Sequence, residues 1–193
     1  MPTQSHTRLR ASLALCAAAL LLALPASATA GSGGVGTGET AEPPPPAPIP
    51  GEKAKLLRSG LAVAPATAPE QVVSAIEAAN RIDEAGYCLG GGHGKWRSRC
   101  YDCSGAVSYV LGPKGAGILD SPLPSGDFRK WGERGRGSWI TVHYNAGHAY
   151  VVIAGLRFDT SMPDDRASGP GWSKDVKRGD VNGPFKKRHY LGL

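Results

Sequence analysis

No apolar run in this 193-residue sequence is long enough to span a bilayer as a helix; the best candidate, Ala11 to Leu24, is too short. Its flanks give it another meaning. Arg8 and Arg10 precede it, acidic residues are absent from the first thirty positions, and Ala26-Ser27-Ala28 or Ala28-Thr29-Ala30 follows as a small-residue cleavage site. Residues 1–30 therefore read as a secretory signal, and the rest is expected outside the cytoplasm, secreted or associated with the cell wall, with no retained membrane anchor. Cys16 does not convert the signal into a lipid attachment site, because it lies inside the apolar run and follows the bulky Leu15. Dense Lys/Arg stripes, aromatic-interleaved basic runs and nucleic-acid motifs are also missing, which excludes nucleic acid as the expected partner. Neither an internal repeat nor a second module is present.

What charge there is leans positive. The sequence has 22 Lys and Arg against 16 Asp and Glu; without Arg8 and Arg10 the excess is four, mild but suited to an anionic polymer such as a cell wall. Residues 31–50 (GSGGVGTGETAEPPPPAPIP) cannot bury enough apolar surface to fold, and read as a spacer that stiffens at Pro43 to Pro46. The remainder is one domain's worth of chain: an extended arm over 51–68, which either packs along the domain or covers its groove, and a folded part over 69–193.

From Pro69 the pattern is helical. Thr67 or Ala68 would cap, Pro69 suits the first turn, and Val72, Val73, Ile76, Ala79 and Ile82 form one apolar stripe. A loop, Gly90-Gly91-Gly92-His93-Gly94, lets backbone approach closely to its neighbour. Asp102 to Leu111 is a second helix, with Asp102 as cap, Ala106, Val107, Val110 and Leu111 on its buried side, and Gly112-Pro113 at its end. Residues 115–137 are turn-rich and take no assignment, with Trp131 expected half-buried. Strands follow at Ser138 to Tyr144, His148 to Ile153 and Leu156 to Thr160, an antiparallel meander. The expected class is α+β.

Register indicates which polar groups meet. If Ala154-Gly155 is a tight turn, Ile153 opposes Leu156, and pairing backward sets Tyr150 against Asp159 and His148 against Ser161. Asp159 is then diagonal to His148 on the same face; a one-residue slip would bring Thr160 round instead. Cys103, in the first turn of the second helix, sees the partial positive charge of the helix N-terminus, which favours thiolate over thiol. Backbone N–H groups at Ser104 and Gly105 can serve an oxyanion formed beside it. A base working near neutral pH must come from His93, His143, His148 or His189. His148 is the best placed, opening an apolar strand after a glycine turn, with His93 its one serious competitor. His143 is expected to be structural or exposed, and His189 lies in the basic tail with Lys186-Lys187-Arg188.

The order Tyr87-x-x-Gly90-Gly91, Asp102-Cys103-Ser104-Gly105, then Gly147-His148 and a hydrophobic strand resembles the NlpC family of bacterial cell-wall cysteine peptidases, over roughly Pro69 to Thr160. The resemblance implies a reduced papain-like fold, Cys103 as nucleophile, His148 as base and a third polar residue orienting the imidazole. It also implies a Tyr87 hydroxyl bordering the oxyanion site, with Ser104 and Asp102 beside the substrate. It implies cleavage of peptidoglycan stem peptides at the γ-D-glutamyl to diamino-acid bond through an acyl-enzyme, with no cofactor or metal, by a monomer. The family's third residue is usually His, Asn or Gln; here Asp159 is the choice from register. The glycine loop is longer than the usual pattern, which suggests a secreted, actinobacterial type.

Three cysteines remain beyond the signal. A Cys88–Cys100 bridge would leave Cys103 free, as catalysis requires, whereas Cys100–Cys103 would lock the nucleophile up. Cys100-x-x-Cys103 also fits a thiol-disulfide redox protein, and Cys88, His93, Cys100 and Cys103 together could ligate zinc. Against the first, the chain lacks flanking βαβ units; against the second, the spacing matches no common knuckle. Neither explains the Gly147-His148 strand. A catalytically silent wall-binding relative is a further alternative.

Overall fold

In the computed structural model, which describes residues 52–161, 169–176 and 183–193, the arm turns back on itself. Lys55–Leu56 (β1) pairs antiparallel with Ala62–Val63 (β2). The signal and spacer expected over 1–30 and 31–50 lie outside the described residues. The first helix, α1, runs Glu70–Arg81. Pro69 is its N-cap rather than a first-turn residue: its ψ of 153° is extended, so the chain becomes helical only at Glu70. The Pro69 carbonyl accepts from the N–H groups of Val72 and Val73, and Glu70 places negative charge at the helix start. Val72, Ile76, Ala79 and Ile82 are buried as the stripe predicts, with Val73 only partly so. Ala75 and Ala78 are buried too, because α1 is covered by more than one neighbour.

Next come Gly86–Tyr87 (β3) and Cys100–Tyr101 (β4), a short parallel pair with Gly86 opposite Cys100. A disulfide joins Cys88 to Cys100 with 5.5 Å between Cα atoms. It closes a loop of twelve residues' separation, so replacing both cysteines by serine is expected to cost about 3 kcal/mol, mainly through a freer unfolded chain. An unchanged denaturant midpoint in the double variant would show that the bridge contributes no stability.

The second helix, α2, is Cys103–Leu111 and is buried throughout. It packs against α1 and against the sheet. The unassigned stretch holds a 3-10 segment, Ser125–Lys130. Trp131 is more buried than expected, at 8 % exposure, because its ring meets Phe128 edge-on and its indole N–H donates to the Ile118 carbonyl.

The remaining strands are Glu133–Arg134 (β5), Ile140–Tyr144 (β6), Ala149–Ile153 (β7), Leu156–Asp159 (β8), Gly171–Ser173 (β9) and Lys186–His189 (β10). They form one antiparallel sheet in the order β5-β10-β6-β7-β8-β9. The expected meander is its centre, β6-β7-β8. The hairpin between β7 and β8 is symmetric, with Ile153 opposite Leu156. Ala154 (φ 46°) and Gly155 (φ 86°) both take left-handed backbone, as a two-residue type I′ turn requires. The basic segment read as a tail is instead β10, seated between β5 and β6. Backbone pairing does not need apolar side chains, and Lys186 and Lys187 remain exposed.

Val142, Val151, Ile153 and Phe158 join α1 and α2 in one core. The described residues belong to one compact unit, Pro43–Leu193, and their few helices and large antiparallel sheet are compatible with the α+β class. None of the described helices is long and apolar enough to cross a membrane.

Candidate active site

Asp102 organises the start of α2. As N-cap its Oδ1 accepts from the Gly105 N–H at 2.7 Å. The same carboxylate accepts from the Gly90 N–H at 3.0 Å and the Ser104 hydroxyl at 3.1 Å, and lies 3.0 Å from His93 Nε2. One buried carboxylate thus ties the glycine loop to the helix. His93, the competing base, is directed at Asp102, and the Ser104 hydroxyl is occupied there as well. Since the Gly105 N–H is committed to Asp102, the helix-start donors that precede any intrahelical carbonyl are those of Cys103 and Ser104.

Close backbone approach explains the glycines. A Cβ on Gly105 would lie 1.9 Å from the Gly91 carbonyl oxygen, the atom that accepts from the Asp102 N–H. Backbone cannot swing aside as a side-chain tip can. Gly105→Ala is therefore expected to destabilise by about 3 kcal/mol and to slow alkylation of Cys103, measured by thermal unfolding and reaction with iodoacetamide. A variant with wild-type melting and reactivity would contradict this.

Cys103 itself is 9 % exposed. Its Sγ lies 3.4 Å from Ser125 Oγ, at the head of the 3-10 segment. Burial pushes the thiol pKa up. Hydrogen bonds with His148 and Ser125, the His148 charge and the Ala149 N–H outweigh that, and the thiol ends below its ordinary value. For His148, burial acts downward, while hydrogen bonds and charge from Asp159 and Cys103 raise the pKa to about 9. At neutral pH the imidazole is protonated, and its charge favours the thiolate at Cys103.

His148 Nε2 is 2.8 Å from Asp159 Oδ1, with both side chains almost wholly buried, which leaves Nδ1 as the nitrogen for the sulfur. The hairpin register accounts for this meeting. Asp159 Oδ1 also accepts from the Ser161 N–H at 3.1 Å, and Arg157 Nε stands 3.9 Å from Oδ2. Thr160, the choice under a one-residue slip, has a buried hydroxyl without a hydrogen-bond partner among the described residues. Backbone placement of His148 comes from Asn145, whose Oδ1 accepts from the N–H groups of Gly147 and His148 at 3.0 and 2.9 Å. Phe185 packs edge-on against the imidazole at 6.1 Å.

The other candidates fall elsewhere. His143 stacks on Tyr150 and receives its hydroxyl at Nδ1. Burial, then the charges of Lys187 and Arg136, hold its pKa at about 4, so it is neutral and structural. His189 pairs with Glu133 in the sheet. Tyr87, 43 % exposed, lies within electrostatic reach of the site: its pKa is raised by partial burial and then by the negative charges of Cys103 and Asp102.

The described part of the arm is bound at the β7–β8 turn and at α1. Its Ala54 N–H donates to the Ala154 carbonyl, and Asn80 bonds both backbone groups of Ala62. Ala154 is six residues along the strand from His148, roughly 20 Å away. Nor do the four residues of the zinc alternative converge: Cys88 and Cys100 are bridged, His93 faces Asp102, and Cys103 faces Ser125 and His148. The free thiol, not a Cys100–Cys103 pair, is what the helix start presents.

Sequence reasoning missed Ser125, Asn145 and Phe185 as parts of this site. Asn145 had a usable signal, an Asn two residues before Gly147-His148 at a strand entry. Ser125 had none, since its position depends on how residues 115–137 cross α2. The sequence matches no family model and no curated protein. A thiol, an imidazole and a carboxylate thus meet across a helix start and two neighbouring strands.

Proposed function

We propose that the protein is a cysteine peptidase of papain-like type that hydrolyses peptidoglycan stem peptides outside the cytoplasm. The observation that carries the reading is the buried series Cys103–His148–Asp159, with a lowered thiol pKa and a raised imidazole pKa. The resemblance of Tyr87, Gly90-Gly91, Asp102-Cys103-Ser104-Gly105 and Gly147-His148 to the NlpC family supports the substrate class and the γ-D-glutamyl to diamino-acid bond. The Cys88–Cys100 disulfide supports an oxidising compartment.

The chemistry then follows. The Cys103 thiolate attacks the carbonyl carbon, and the oxyanion is met by the N–H groups of Cys103 and Ser104 with the Tyr87 hydroxyl at the border. Because His148 starts protonated, it acts first as an acid and gives its proton to the departing amine. The neutral imidazole next takes a proton from water, which hydrolyses the thioester and restores the ion pair. Asp159 holds the ring in position and stabilises its charged form.

The test is digestion of purified peptidoglycan by the protein and by Cys103→Ala, with released stem peptides read by mass. Release only by the wild type supports the reading. Equal release by both overturns it.

A further inference from the structure

The basic segment near the C-terminus finds its use in the sheet. Lys186, Lys187 and Arg188 on β10 line a groove of about 640 Å³ together with Arg129, Lys130 and Arg134. Five of the six are exposed, and Arg188 is half-buried. Tyr144 is the one uncharged residue among the described lining, and carboxylates are absent from it. Two acids flank it: Asp127, 3.8 Å from Arg129 in a solvent-exposed pair, and the exposed Glu133 next to Arg134 on β5, both open to screening by solvent.

Two further observations mark this as a built site. Arg188 lies directly opposite Arg134 across the β5–β10 ladder, and like charges in that position cost stability. The Arg188 guanidinium is also held in place, donating to the carbonyls of Gly132 and Arg129, with other N–H groups left to point outward. The field extends beyond the groove, since Lys187 contributes to holding His143 neutral after burial. The groove also adjoins the thiol site. Its 3-10 wall begins at Ser125, which touches Cys103, and β10 starts one residue after Phe185, which packs on His148.

We propose that this groove binds a linear polyanion with a phosphate on each repeat, the chemistry of phosphodiester wall polymers, and so holds the protein beside its substrate. A stem peptide offers too few charges to answer six cations. Guanidinium forks match phosphate oxygens in pairs. The cell-wall location rests on the peptidase reading; the binding of phosphate polymer does not.

The test compares the wild type with Lys130→Glu/Arg134→Glu/Lys186→Glu, three exposed residues outside the thiol site. Arg134→Glu sets an opposite charge against Arg188, so the variant is expected to melt no lower than wild type. Should it fail to fold, Lys130→Gln/Lys186→Gln replaces it. Inorganic polyphosphate is the probe, with polyglutamate of equal charge as the carboxylate control. The Kd of the charge-reversed variant for polyphosphate is expected to rise about tenfold or more, and wild-type binding to weaken with salt. Whole walls stripped of phosphodiester polymers with hydrofluoric acid are expected to retain the wild type less than untreated walls.

Equal affinities of variant and wild type would overturn the proposal. Polyglutamate binding as tight as polyphosphate, or undiminished retention on stripped walls, would overturn the phosphate assignment. Cys103→Ala is expected to bind polyphosphate like the wild type. If both release no stem peptides while the charge-reversed variant still loses binding, the peptidase reading has failed and the groove stands.

Discussion

Cys103→Ala is expected to lower stem-peptide release by three orders of magnitude or more, because the attacking atom is gone and the remaining groups only bind and polarise the substrate. His148→Ala should fall into the same range, and the double variant should be little worse than either, since the two act as a unit. The pH dependence carries the sharper signature. Activity and iodoacetamide reactivity should persist below the ordinary thiol range, because His148 and Ser125 stabilise the thiolate despite burial. Activity should decline as pH rises past about 9, where His148 loses its proton. An alkylation profile rising only near the ordinary thiol value would contradict the ion pair.

Folding stability provides a separate check on the same pair. The folded His148 pKa of about 9 exceeds its ordinary 6.5, so alone it would contribute stability below 6.5 that is lost as pH rises through 9. The lowered Cys103 pKa works the other way, contributing above the thiol's ordinary value and losing it as pH falls through the folded one. In the window where folding adds a proton to His148 and removes one from Cys103, the two effects oppose each other. Removing Cys103 ends that opposition. In Cys103→Ala, stability should fall as pH rises from 6.5, by up to about 1.4 kcal/mol per pH unit, for as long as Asp159 keeps the imidazole protonated. Denaturant midpoints for the two proteins between pH 6 and 9 decide this; parallel profiles would show that the pair is not charged.

Asp159→Asn should have the next effect in size after loss of Cys103 or His148. It keeps a hydrogen-bond acceptor for His148 but removes the charge that helps hold the imidazolium, so the alkaline limb of the activity profile should move below 9. A rate loss of up to about ten-thousandfold is expected, the drop seen when the carboxylate of a Ser-His-Asp triad becomes an amide. Stability is also at stake. Arg157, 2 % exposed, would keep its buried charge without the carboxylate 3.9 Å away, a loss of about 3 kcal/mol. Arg157→Met in the same background should recover part of the stability but none of the rate. If Asp159→Asn left the alkaline limb unmoved, the carboxylate would be a passive neighbour of the ring.

The meeting of Asp159 with His148 was legible in the sequence. A two-residue Ala154-Gly155 turn constrains the pairing of its flanking strands, and period-two alternation then puts His148 and Asp159 on one face. The apolar stripe of α1, the Asp102 cap and the three central strands were legible for the same reason, because each is a local pattern. Cys88 and Cys100 were legible only as one pairing among alternatives. The short strands β5, β9 and β10 were not, since a few charged or mixed residues show no alternation and gain their partners from the edge of a sheet already formed. Pro69 shifted from first turn to cap because an extended ψ at that residue delays the helix by one position.

By itself, the sequence determined that a cysteine would open a helix, that a histidine would open a strand, and that an aspartate could stand diagonal to it. Those are consequences of dipole, turn chemistry and alternation, which act over a few residues. Only the tertiary structure decided that the helix start and the strand entry meet, that Ser125 comes to the sulfur, and that His93 is turned to Asp102 instead. It also decided that Arg157 is buried beside the carboxylate, and that the basic segment becomes a sheet strand facing Arg129, Lys130 and Arg134. Cys103, Ser125 and His148, and likewise β10 and residues 129–134, are far apart in the chain, and the shared core that brings them together has no counterpart in any local pattern.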